Sequence, residues 1–110
     1  MSEVSNLESQ QEQMKVDLEN RDLALKLFKN REFKKLILDQ FCTEECARYV
    51  QASGDPALSA DQKADALAMA QAAGHLKRFL SVKVQMGNQA ENLMPSLDEA
   101  LAEARQEEND

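Results

Sequence analysis

The chain has 110 residues, a formal net charge of −7, three glycines, two prolines and no tryptophan. That length suits one domain with a modest core. Because only four Phe and one Tyr are present, the interior must be built mainly from leucine, alanine and methionine. Few turn residues and many good helix formers predict a small number of long helices and argue against a sheet protein. The negative charge disfavours indiscriminate binding to nucleic acid or to an anionic membrane.

Charge is unevenly distributed along the chain. Residues 1–22 contain six acids and two bases, residues 91–110 contain seven acids and one base, and residues 26–83 contain ten bases and seven acids. We call five bases that fall within ten residues the basic segment: Lys26, Lys29, Arg31, Lys34 and Lys35. Neutralisation of this segment by the chain's own acidic ends is the simpler interpretation, and a partner-binding surface is the alternative.

A long amphipathic helix is predicted over residues 7–29, after a disordered start at 1–6. Its heptad-like seam is mostly apolar: Leu7, Gln11, Met14, Leu18, Arg21, Leu25 and Phe28. The polar seam positions argue against a true coiled coil. The first half of the helix has few apolar residues and therefore needs a neighbouring helix, from the same chain or from a second copy. Intrachain packing is the favoured arrangement and self-association the alternative, and Met14 and Leu18, in this half of the helix, are candidate partner contacts.

A short helical hairpin is predicted over residues 31–52. Asn30 is suited to cap its first helix, and Thr43 to cap a second helix from about 44 to 52, with Glu44 and Glu45 in the first turn. Ser53-Gly54-Asp55-Pro56 predicts a turn. The core of the protein is predicted to consist mainly of Phe33, Leu36, Ile37, Phe41, Tyr49, Val50, Leu76, Phe79 and Leu80.

The C-terminal half predicts another long helix, which begins with the capping-box pattern of Ser59 and Gln62. The small residues Ala72, Ala73 and Gly74 would let a second helix approach closely, and Met86-Gly87-Asn88 is predicted to loosen this helix without ending it. Pro95 is predicted to break it, because the residue before proline avoids helical angles. Ser96-Leu97-Asp98-Glu99 would then cap a last helix before an acidic tail at 106–110.

Cys42 and Cys46 are the most obvious candidates for chemistry. A structural zinc site needs four ligands, usually from Cys and His, and the chain has two Cys and one His. A redox pair of the thioredoxin type needs Cys-x-x-Cys near a βαβ pattern, and the neighbouring Glu44 and Glu45 oppose a reactive thiolate. Both cysteines are therefore predicted to be small, inward-facing apolar side chains.

No other residue pattern indicates catalysis. His75 has no serine or acid at a telling spacing, and the acid pairs Glu44-Glu45 and Asp98-Glu99 lie where predicted first turns favour acids anyway. The sequence contains no phosphate-binding glycine loop. We predict no catalytic, cofactor-binding or metal-binding residues and a protein that is not an enzyme.

The sequence shows no targeting signal and no apolar run of about 20 residues that could span a bilayer. Two cysteines without a signal peptide favour a reducing cytoplasm.

Three stretches resemble a group of small, poorly characterised helical proteins encoded by tailed bacteriophages: REFKKLILDQFCTEECARYV, ASGDPALSADQ and AAGHLKRFL. The matching positions are Glu32-Phe33-Lys34-Lys35, Ile37-Leu38, Phe41, Glu44-Glu45, Arg48, Val50, Asp55-Pro56, Gly74, Leu76, Arg78 and Phe79. The group tends to have a large residue in place of Cys42 and alanine in place of Cys46, which a packing role allows and a metal site forbids. The resemblance implies a phage origin and an accessory role.

We therefore predict an all-α bundle of four to five helices, with residues 7–105 forming a single domain and a short helical hairpin between two longer helices. The predicted function is protein–protein binding in virion structure or assembly, with inhibition of a host enzyme or defence protein, or weak nucleic-acid binding, as the alternatives. The expected partner is a phage structural protein or a host protein, with a homo-oligomer also open. The expected location is the host cytoplasm or the virion. The candidate contact residues are Met14, Leu18, Lys26, Lys29, Arg31, Lys34 and Lys35.

Overall fold

The computed structural model describes residues 2–110, which contain three helices and no strand. Helix α1 is Glu3–Lys29, α2 spans residues 31–53, and α3 is Ala60–Asn109. Helix α2 runs without interruption through Arg31–Phe33, a π-helical stretch at Lys34–Glu45, and Cys46–Ser53. The all-α prediction is confirmed, whereas the predicted four to five helices are three.

The predicted corner at Thr43 is wrong because α2 continues through it in π-helical geometry. The Thr43 hydroxyl donates to the Leu38 carbonyl at 2.9 Å, five residues earlier, and the Cys46 amide likewise reaches the Phe41 carbonyl. In a π-helix each amide bonds to the carbonyl five residues before it. Thr43 is therefore not a cap, and the predicted hairpin at 31–52 is one helix.

Pro95 also fails to end its helix. Helix α3 passes through Pro95 and the predicted capping box at Ser96–Glu99. Beyond the proline, Leu97, Leu101 and Ala104 are buried at intervals of four and three residues. They lie on the same face of α3 as Ala90, which is buried before the proline. Burying a large aliphatic side chain contributes about 1.5–3 kcal/mol, so two buried leucines in register outweigh the proline's cost of about 3 kcal/mol.

The predicted helix caps at Asn30 and Ser59 are confirmed by their hydrogen bonds. Asn30 Oδ1 accepts from the Phe33 amide at 2.8 Å. Ser59 and Gln62 form a reciprocal capping box, in which the Gln62 amide donates to Ser59 Oγ at 3.1 Å and the Ser59 amide donates to Gln62 Oε1 at 2.9 Å. In the turn between α2 and α3, Asp55 Oδ1 accepts from the Ala57 amide at 2.9 Å.

The chain ends are more ordered than the sequence predicts. Helix α1 begins at Glu3, and the Ser2 hydroxyl accepts a hydrogen bond from the Ser5 amide at 3.1 Å. Helix α3 extends to Asn109. Residues 3–6, predicted to be disordered, and most of the acidic tail are therefore helical.

The structure divides into two compact units. The first unit is the chain up to Leu25 together with Val82–Asp110, and the second unit is Lys26–Ser81. The single domain over residues 7–105 stays a prediction.

In the first unit, α1 packs antiparallel to the C-terminal half of α3. Arg105 contacts Glu8 at 3.2 Å, Gln11 donates to Asp98 at 3.0 Å, and Arg21 contacts Glu91 at 2.6 Å. The predicted α1 seam is confirmed over Leu7–Arg21, where its five members are half-buried: Leu7, Gln11, Met14, Leu18 and Arg21. The fully buried apolar side chains of this unit are small or unbranched at Cβ: Ala24, Ala90, Leu97, Leu101 and Ala104.

Gly87 marks the closest approach of the two helices in the first unit. A Cβ atom placed on Gly87 would lie 2.8 Å from both Cγ and Cδ of Arg21, and closer still to Arg21 Cβ. Arg21 then turns its guanidinium toward α3, where it contacts Glu91 and donates to Asn88 at 3.3 Å. Gly87 is thus the residue that lets the Arg21 stem lie against the α3 backbone.

In the second unit, α2 packs against the N-terminal part of α3 through small side chains. Cys42 Sγ approaches the Ala73 carbonyl at 4.0 Å and Cys46 Sγ approaches the Ala70 carbonyl at 3.6 Å. The buried apolar residues are Cys42, Ala66, Ala70, Ala73 and Leu80.

The predicted core is wrong at three positions in this unit. Leu36, Val50 and Phe79 are 59%, 54% and 58% exposed, whereas Leu80 is buried and the remaining predicted core residues are half-buried. The small residues buried between α2 and α3 explain this difference. Because alanine and cysteine let the two helix backbones lie close together, bulky side chains can occupy only the edge of the interface or the protein surface. Of the predicted small-residue contact, Ala73 is buried, but Ala72 and Gly74 are exposed.

Replacing Gly87 by alanine tests the close approach. We expect Gly87→Ala to lower the free energy of unfolding by about 1–3 kcal/mol, because the added methyl overpacks the contact with Arg21. Urea denaturation followed by circular dichroism measures this. Gly74→Ala is the matched control: its Cβ meets no atom within 4 Å, so it should gain up to about 1 kcal/mol from helix propensity. Equal effects at both glycines would contradict the packing.

Replacing Pro95 by alanine tests the continuity of α3. Pro95 is exposed within the helix, so Pro95→Ala restores a backbone donor and removes a steric conflict without touching the core. We expect the free energy of unfolding to rise by up to about 3 kcal/mol, with an increase in helical circular dichroism. A loss of stability would mean that the proline ends a helix, as the sequence predicts.

Candidate protein-binding surface

The basic segment lies at the junction of α1 and α2, within the second unit. Lys26 and Lys29 occupy the last turn of α1, where cations are favoured by the helix dipole. Arg31 opens α2, and Lys34 and Lys35 begin its π-helical stretch. All five side chains are exposed.

None of these five bases forms an ion pair within residues 2–110. Bases that do so elsewhere in the described chain include Lys15, Arg21, Arg48 and Arg105. The simpler interpretation of the sequence, that the acidic ends neutralise this segment, is therefore not realised through direct ion pairs in the described chain. Five exposed cations remain available to an external group.

Exposed leucines are interleaved with these cations. Leu27 is 40% exposed between Lys26 and Lys29, and Leu36 is exposed directly after Lys35. The neighbouring rings of Phe28 and Phe33 are half-buried. The surface therefore combines positive charge with aliphatic side chains rather than with fully exposed rings.

Met14 and Leu18 do not form an exposed contact surface. Both are half-buried on the α1 seam, between Gln11 and Arg21, whose side chains bond to α3 within the first unit. The sequence also places them on this seam, and their assignment as possible partner contacts stays a prediction. Val16 and Leu23 are exposed apolar residues on this part of α1, seven residues apart. Their spacing off the seam is the sequence signal that could have identified them.

An open groove of about 270 Å³ lies where α2, the turn and α3 meet. Its apolar lining comes from Tyr49, Ala52, Leu58, Ala66 and Met69. Gln62 and Asp65 complete the lining. No sequence signal predicted it, because the groove exists only once the turn brings Leu58 beside the two helices.

The cysteines lie on the packed face of α2. Cys42 is buried, as predicted, and Cys46 is half-buried. Burial raises the pKa of the Cys42 thiol, an effect that Lys77 opposes and Cys46 reinforces. Among residues 2–110, no three His, Cys, Asp or Glu side chains converge as a metal site would require.

The remaining candidates from the sequence are dispersed. His75 is exposed on α3. Glu45 pairs with Arg48, and Asp98 accepts from Gln11, while Glu44 and Glu99 point to solvent. Among the described residues of the second unit, no hydrogen bond or ion pair joins His75 to Glu44 or Glu45.

Comparisons with protein-family models, with curated proteins and with solved structures gave no match. In the described part of the chain, no helix has a stretch that is both long and apolar enough to cross a bilayer.

The burial of the two thiols predicts their reactivity. Cys42 should react with a thiol-specific reagent roughly tenfold or more slowly than a free cysteine at neutral pH, because it is buried and its raised pKa keeps it protonated. Half-buried Cys46 should react first. The alkylation rate of Cys42 should continue to rise at pH values above the ordinary thiol pKa, because the pKa of Cys42 is raised. Mass spectrometry of partially alkylated protein gives the order, and faster modification of Cys42 than of Cys46 would contradict their placement.

Proposed function

We propose that this is a non-enzymatic protein of a tailed bacteriophage that acts by binding another protein, in virion structure or assembly, through the basic segment. The observation that supports this most strongly is the group of five exposed cations that form no ion pair within residues 2–110 and are interleaved with exposed leucines. Apolar contact excludes water while cations select an acidic partner and accelerate its encounter.

A protein partner is favoured over nucleic acid. Single-stranded nucleic acid is bound by combining cations with exposed aromatic rings on which bases stack. Here the exposed large apolar side chains beside the cations are leucines, and Phe28 and Phe33 are half-buried. The net charge of −7 also opposes a polyanion.

The phage origin rests on the resemblance of residues 20–80 to phage proteins. Mass spectrometry of purified virions distinguishes a structural protein, which should be present in the particle, from an inhibitor of a host protein, which should be absent from it.

Reversing two charges tests the surface. Lys34→Glu with Lys35→Glu should reduce capture of the partner from infected cells at least roughly tenfold, because like charges across an interface cost several kcal/mol. Lys77→Glu with Arg78→Glu is the matched control, since this pair is also adjacent, exposed and basic but lies outside the segment. Affinity purification with quantitative mass spectrometry measures both.

Equal capture by both variants would exclude the basic segment as the surface. Salt-sensitive retention of nucleic acid, lost in the Lys34→Glu, Lys35→Glu variant, would replace the proposed protein partner with nucleic acid.

A further inference from the structure

The two units differ in charge. The first unit contains thirteen acids and four bases, a net charge of −9, whereas the second contains seven acids and nine bases, a net charge of +2. Among the described residues, the first unit's ion pairs include the acids Glu8, Glu12, Asp22 and Glu91. The net negative charge of the chain therefore lies in the first unit, whereas the basic segment belongs to the second.

The unpaired acids include a stripe on one face of α3. Glu99, Glu103 and Glu107 follow one another at intervals of four residues, so at 100° per residue they lie within one face of the helix. All three are exposed, and none forms an ion pair within the described residues. We call these three side chains the acidic stripe.

Leu93 is 54% exposed on the same half of α3 as the acidic stripe. It precedes Glu99 by six residues, which is about 9 Å along the helix axis and about 120° around it. The stripe itself therefore consists of unpaired charge of the sign opposite to that of the basic segment, and Leu93 lies on a neighbouring face.

We infer that the basic segment binds the acidic stripe of a second copy of this chain, so that the protein self-associates through two surfaces of opposite charge. This inference rests on the proposed role of the basic segment in protein binding, and it identifies the bound protein as a second copy of this chain. Within the described residues of one copy neither surface forms an ion pair, and Leu27 and Leu36 remain exposed beside the cations. Contact between copies would pair both sets of charges and cover these two leucines.

The dependence on salt follows from the chemistry of the contact. Exposed charges are screened over about 8 Å at physiological ionic strength, so an association built on lysine and glutamate should weaken as salt is added. Interfaces that depend on apolar burial alone lack this dependence.

The experiment is a charge swap followed by sedimentation velocity on full-length protein. The wild type should associate at roughly 0.05 M NaCl and dissociate at roughly 0.5 M. The basic-segment variant, Lys34→Glu with Lys35→Glu, and the acidic-stripe variant, Glu99→Lys with Glu103→Lys, should each be monomeric. In each of them the two surfaces have the same sign. A mixture of the two variants should associate again, because each reversed surface then meets its complement.

The helical circular dichroism of both variants should match that of the wild type, which separates a lost contact from lost folding. Association of either variant alone, or failure of the mixture to associate, would overturn the inference. A wild type that stays monomeric at low salt would also overturn it. In that last case the proposed function survives if the Lys34→Glu, Lys35→Glu variant still loses a captured protein.

Discussion

The structure depends on the small-residue seam of α3. Alanine at positions 66, 70, 73, 90 and 104, and glycine at 87, occupy the buried positions along this helix, with Leu80, Leu97 and Leu101 between them. Small side chains allow the backbones of packed helices to approach closely. Close packing provides dispersion contacts, but it also leaves no space at the centre of the interface for bulky residues.

The exposed surface follows from that constraint. Because the seam is narrow, Leu36, Val50 and Phe79 lie outside it in the second unit, and Leu93 lies beside it in the first. Apolar patches rimmed by polar residues mark interaction sites when they are contiguous, and this is the ground on which we propose the basic segment with Leu27 and Leu36 as a binding surface. The same feature that determines the core therefore also determines which apolar side chains are exposed.

Local signals allowed much of the fold to be predicted from the sequence. Asn30, Ser59 and Gln62 cap helices because their side chains bond backbone amides three residues away, and such contacts are visible in a short window of sequence. The α1 seam was predictable because its apolar period extends over three heptads. Thr43 and Pro95 were misleading for the opposite reason: each suggests a local boundary, but packing over many residues keeps the helix intact across it.

The candidate surface was only partly predictable. The five cations are visible as a cluster in the sequence, but whether they are neutralised depends on contacts between distant residues. Leu36 could not be distinguished from a core residue, because the period of a π-helix differs from the 3.6-residue period used to assign faces. Gly87 was assigned a loosening role, and only the position of Arg21 shows that it is a packing residue.

Native-state amide hydrogen exchange along α3 tests the central claim, that this helix is one continuous element held by a small-residue seam. The account predicts protected amides on both sides of Pro95, with Leu97 and Leu101 exchanging as slowly as Ala90, because all three lie in the same packed seam. Rapid exchange at residues 96–101 alongside slow exchange at Ala90 would show that α3 ends at the proline, and would contradict the account.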